Sequence, residues 1–90
     1  MQHTASIKVP NGKLVNVAAT YDDTIDSVTI TGDFFLEPPE ARADLERAIE
    51  GRSTDVSQQE LVDAIESVDA QLIGFSAPHL AEAVREAVDR

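Results

Sequence analysis

The chain has 90 residues, no cysteine, seventeen Asp and Glu against seven Lys and Arg, and a formal net charge of -10. That length allows one domain, residues 1–90, whose modest core buries about 60–65 % of the unfolded chain's surface; without cysteine, a disulfide framework, a thiolate nucleophile and the usual structural zinc sites are excluded. Charge of this sign argues against nucleic acid as a partner, because a phosphate backbone exchanges its counterions for basic residues.

The first third alternates at period two, as half-buried strands require. Ile7 and Val9, then Val15, Val17, Ala19 and Tyr21, then Val28, Ile30 and Phe34 recur at every second position. A Pro10-Asn11-Gly12 loop sets Ile7 opposite Val15 and keeps every apolar residue on one face, which an Asn-Gly two-residue turn does not. A four-residue loop over Asp22 to Ile25 likewise sets Val17 opposite Ile30 and Ala19 opposite Val28. The pattern then becomes helical. Ala41, Leu45, Ala48 and Ile49 follow Pro39 and stop at Gly51. Ser57 and Glu60 form a capping box, with Val56 and Leu61 as its hydrophobic staple, before the stripe Leu61, Ala64, Ile65 and Val68. After a short apolar connector, AQLIGF, Ser76 caps a third helix with Pro78 in its first turn and Phe75 stapled to Leu80. The expected fold is α+β: a three-stranded antiparallel meander with about three helices packed on one face.

Chemistry-bearing motifs are few. His3 and His79 lack neighbouring ligands and read as exposed polar residues. Ser76 with His79 suggests a nucleophile and base, but a cap serine directs its oxygen at backbone N–H groups. Asp22-Asp23 reads as turn chemistry rather than a cation site. Asp26-Ser27-Val28 is similar to the phosphopantetheine attachment triplet of acyl carrier proteins, yet this serine lies in a strand instead of starting a helix. No glycine-rich phosphate loop is present. No apolar run reaches the roughly 20 residues of a membrane span, and the start MQHTASIK lacks a signal peptide's basic and apolar regions. The expected setting is the cytoplasm, with no membrane contact.

In Ile30 to Glu40, ITGDFFLEPPE, two phenylalanines are adjacent. Neighbours on a strand face opposite sides, so Phe34 continues the core face while Asp33 and Phe35 face away; a bend at Gly32-Asp33 that buries both rings is the alternative.

The ordered set KVPNGKL, YDD, ITGDFFLEPPEA and SAPHLAEAV, spanning about Ser6 to Val88, resembles the C-terminal accessory domain of lipoate-protein ligases, which in many archaea is a separate small protein. Thr24 departs from the resemblance, standing where a glycine is expected. The resemblance implies a partner, the catalytic lipoate-protein ligase subunit, which makes lipoyl-adenylate from ATP and lipoate. It also implies that this chain assists activation, binds no cofactor itself and is not catalytic alone. The domain's fold in that family resembles sulfur-transfer and iron-sulfur scaffolds, whose chemistry needs the cysteine missing here. On this reading Phe35 and Leu14 form the apolar centre of a partner contact, with Asp33 beside them and Lys8 and Lys13 at the rim. Ordinary solvated strand charge is the competing account of the two lysines, and an acidic protein-interaction module unrelated to lipoate is the competing account of the chain.

From Glu37 onward the acids are interspersed with regularly spaced apolar residues, which places them on folded helix surfaces. Such acid-rich, lysine-poor surfaces resemble those of proteins from salt-loving archaea, where molar salt shortens the screening length to about 3 Å. Far-UV circular dichroism on dialysis from molar to low salt is expected to lose folded signal; unchanged stability would remove the halophile reading.

Overall fold

In the computed structural model, which describes residues 1–10 and 13–88, period-two alternation builds β1 (Gln2–Lys8), β2 (Leu14–Tyr21) and β3 (Ile25–Gly32). They form an antiparallel sheet in the order β1-β2-β3. Ile7 pairs with Val15, and Val9 N–H donates to the Lys13 carbonyl at 2.7 Å, the register of a three-residue connection. Asn11 and Gly12 of the expected loop lie outside the described residues. Val15, Val17, Ala19, Val28 and Ile30 are all buried on one face.

The second hairpin differs from the sequence expectation at its turn. Val17 pairs with Ile30 and Ala19 with Val28, but Tyr21 pairs with Ile25 across a bulge, leaving Asp22–Thr24 as the connection. Ile25 and Val28 are three apart, so strict alternation would turn Ile25 outward. The extra residue at the bulge reverses that parity and buries Ile25 completely. The same turn is joined to the next loop. Thr24 bridges Ser53, and Ile25 exchanges backbone hydrogen bonds with Gly51 and Arg52 at 2.8 Å. Thr24, where a glycine was expected, therefore sits in a short β-bridge.

Beyond β3 the chain makes β4 (Phe35–Glu37), a turn with a cis Glu37-Pro38 bond, and α1 (Ala41–Ile49). The prolines precede the helix: Pro38 and Pro39 carbonyls accept from Ala41 and Arg42 N–H. Gly51, at φ +87°, follows as the expected stop. In α2 (Gln58–Glu66) the Ser57 hydroxyl accepts from Glu60 N–H at 3.1 Å. The Glu60 carboxylate does not close the capping box; it takes the Arg52 guanidinium at 2.9 Å. The expected apolar connector is a strand, β5 (Gln71–Ile73), paired antiparallel with β4 in a second, two-stranded sheet. Three residues are too few to show a period, which is why the pattern did not reveal it. The chain continues into α3 (Ala77–Ala87), which lies over β1 and β2. α1 lies over β3, and α2 packs against both other helices. No helix among the described residues is long and apolar enough to cross a membrane.

The helix layer also covers one sheet edge. In β3, alternate N–H groups point away from β2 and need acceptors. Glu50 takes Val28 N–H at 3.0 Å and Glu46 takes Ile30 N–H at 2.8 Å. Glu46→Ala should leave the Ile30 donor unpaired and cost about 1–3 kcal/mol in urea unfolding. Arg42→Ala removes only a half-exposed ion pair to Glu46 at 3.9 Å, and should change stability by less than about 0.5 kcal/mol. Equal effects of the two would contradict this edge role.

Candidate functional site

At the end of β3 the backbone is held against the start of β2. Asp33 Oδ1 accepts Leu14 N–H at 2.6 Å, and Asp33 N–H donates to the Leu14 carbonyl at 3.3 Å. Gly32 makes the approach possible. A Cβ there would lie 2.1 Å from the Leu14 carbonyl oxygen and 2.7 Å from the Phe34 ring, closer than atoms tolerate. The strand ends at this clamp, so Phe34 does not extend β3 as expected. Its ring still turns inward, partly buried on the core, with its centroid 4.3 Å from that of Phe75 at a 46° tilt.

Phe35 goes the other way and is 65 % exposed, which rules out burial of both rings. Its cross-strand neighbour in β5 is Ile73, 38 % exposed. Leu14 is also 38 % exposed and lies in register with Lys8, whose side chain shares its outward face. Lys13 joins the two strand systems. Its aliphatic stem lies over Gly74, where a Cβ would sit 3.2 Å from Lys13 Cγ, and its Nζ is 5.8 Å from the Phe35 ring centroid. Of the five residues expected at a partner contact, Lys13 and Phe35 thus meet directly, Asp33 braces Leu14, and Lys8 stands across from Leu14. Asp33 spends its carboxylate on the backbone.

Two grooves flank Lys13 and Phe35. One, about 520 Å³, runs between the end of β3 and the start of α1, walled by Phe34, Phe35, Pro39 and Ala43 with Arg42 among its lining residues. The other, about 370 Å³, is lined by Val9, Pro10, Lys13, Phe75 and His79. Ile73 and Arg42 were missed by sequence reasoning. A β-branched residue before Gly74 was the available signal for Ile73; nothing in the helical period of α1 marks Arg42.

His79 is not a free surface histidine. It is half-buried, and its Nδ1 accepts Ser76 N–H at 3.2 Å with the Ser76 hydroxyl 2.9 Å away. Ser76 and His79 thus close a reciprocal capping box, the Ser76 side chain taking the His79 backbone N–H while the ring takes that of Ser76. Because Nδ1 takes an amide proton, its lone pair holds the start of α3, and the pair reads as a helix cap rather than a nucleophile and base. The Asp23 carbonyl accepts from Thr54 N–H at 3.0 Å, tying the β2–β3 turn to the loop after α1. Among the described residues, no cluster of three or more His, Asp and Glu could hold a metal ion. The site as built is an exposed apolar patch with a cation beside it.

No protein-family model and no curated protein matches the sequence. Among solved structures, a chain from an archaeal lipoylation system of Thermoplasma acidophilum, comprising a bi-partite lipoate protein ligase and its E2 lipoyl domain, has the same fold. The TM-score is 0.77 at 22 % identity, over 94 % of this chain and 96 % of that one. The likeness runs end to end between chains of nearly equal length.

If Phe34 and Phe35 divide their roles in this way, alanine separates them. Phe34→Ala should cost about 2–4 kcal/mol in denaturant unfolding, for lost burial and a cavity beside Phe75. Phe35→Ala should change stability by less than about 1 kcal/mol. Equal losses would place Phe35 in the core and remove it from any contact surface.

Proposed function

We propose that this protein is the non-catalytic accessory subunit of a two-component lipoate-protein ligase, acting with the catalytic subunit in ATP-dependent formation of lipoyl-adenylate during protein lipoylation. The observation that carries the reading is the end-to-end fold likeness to a chain of a bi-partite ligase system. The exposed Phe35, Ile73 and Leu14 with Lys13 at their side support it, because apolar and aromatic anchors beside a polar rim are what a protein partner buries. In this reading ATP and lipoate are handled by the catalytic subunit, and the contribution of the present chain is contact.

The test is lipoyl-adenylate formation from ATP and lipoate by the cognate catalytic subunit, in high salt, with and without this protein. Activity in the mixture, none from this chain alone, and an at least about tenfold weaker complex with Phe35→Ala are expected, the size of an aromatic hot spot. Full activity without this chain, with no complex formed, would contradict the proposal and favour an interaction module unrelated to lipoate. So would transfer of lipoate onto Lys8 or Lys13 of this chain, read as a mass increase, which would make it the acceptor.

A further inference from the structure

We propose that the open edge of β1 pairs antiparallel with β1 of a second copy, joining two three-stranded sheets into one of six strands. The backbone pattern fixes what that edge presents. Val9 N–H donates to the Lys13 carbonyl at 2.7 Å and Tyr21 N–H to the Met1 carbonyl at 2.8 Å, so the odd-numbered residues of this segment bond to β2. By the alternation of an antiparallel ladder, Gln2, Thr4, Ser6 and Lys8 direct their N–H and C=O groups outward. Among the described residues no strand lies on that side of β1.

The two edges of the sheet are treated differently. On β3 the outward N–H groups of Val28 and Ile30 are taken by Glu50 and Glu46. β1, QHTASIK, is seven residues long with no proline, bulge or carboxylate, and its one lysine is at the end. It lacks nearly every device that keeps an edge strand from pairing.

The occupant follows from the register. Paired with itself about Ala5, β1 sets Gln2 opposite Lys8 of the second copy and Thr4 opposite Ser6, which are the residues with outward-directed backbone groups. All seven residues find partners, and no like charges meet. On the helix-side face His3 falls opposite Ile7, and Ala5 opposite Ala5; Ala5 and Ile7 are only partly buried in one copy, so each gains cover. Opposing this is the net charge of -10 on each copy. Thirteen of the seventeen acids lie from Glu37 onward, outside the first sheet, so their repulsion is long-range and screened by salt. The association is therefore concentration-dependent and strengthened by salt. It does not depend on the ligase reading.

Sedimentation equilibrium of the full chain in molar salt tests it. A monomer–dimer equilibrium is expected for the natural sequence. Thr4→Pro removes an outward N–H that β2 does not use, so it should keep the unfolding midpoint and abolish the dimer. Each Gln2–Lys8 pair occurs twice across the dyad, so at the lowest salt at which the chain stays folded, where exposed pairs are least screened, Gln2→Glu should tighten the dimer and Gln2→Lys weaken it, each by about tenfold. Should Thr4→Pro fail to fold, the Gln2 variants still decide. A monomer at every concentration, a dimer indifferent to the Gln2 charges, a dimer broken by Phe35→Ala instead, or association through β1 only with a catalytic ligase subunit would each overturn the proposal.

Discussion

The contact on which the exposed apolar patch depends is small: Leu14 and Asp33 satisfy one another through two hydrogen bonds, over a glycine that allows no side chain. It ends β3, fixes the direction in which the chain leaves the sheet, and thereby sends one phenylalanine to Phe75 and the next to solvent. Asp33 serves twice, as acceptor through its side chain and as donor through its backbone. Because β4 begins at Phe35, the same turn places Phe35 opposite Ile73 and brings the β4–β5 ribbon beside Lys13. Geometry at three residues decides the composition of a whole surface.

The acidic character of the chain has a structural component as well as a surface one. Glu46 and Glu50 reach from α1 and just beyond it to close the exposed donors of β3, which docks the helix and removes an edge in one arrangement. Glu60 is drawn to Arg52, whose Nε donates to the Ala48 carbonyl at 2.8 Å near the end of α1. Arg85 spans from α3 to the Thr54 carbonyl at 2.9 Å. The few arginines thus tie helices to loops. The outward face of the three-stranded sheet is mostly Thr, Ser and Asn, so the excess negative charge gathers around the helices.

Much of this was legible from residue pattern. Both hairpin registers followed from requiring one apolar face, since a one-residue slip would have exposed Val15 and Val17. The three helices followed from period and cap residues. What escaped were features set by single interactions: the bulge that buries Ile25, the three-residue strand β5, and the diversion of Glu60 from its cap. The opposite directions of Phe34 and Phe35 were expected from strand alternation, yet they arise from a strand that stops. His79 was misread because its value lies in a ring nitrogen near its own helix start, a contact that composition does not announce. Of the expected contact residues, the position of Asp33 was legible but its bracing of Leu14 was not.

An accessory role suits a domain whose half-buried histidine is engaged as a cap and whose apolar side chains at one end remain open. The central claim is that this end, and no other, meets a catalytic ligase subunit. Amide hydrogen exchange on this chain, with and without that subunit, tests it most directly. The account predicts slowed exchange confined to residues 13–14, 33–37 and 71–74. Protection centred instead on α2, or no protection under conditions where lipoyl-adenylate forms, would contradict it.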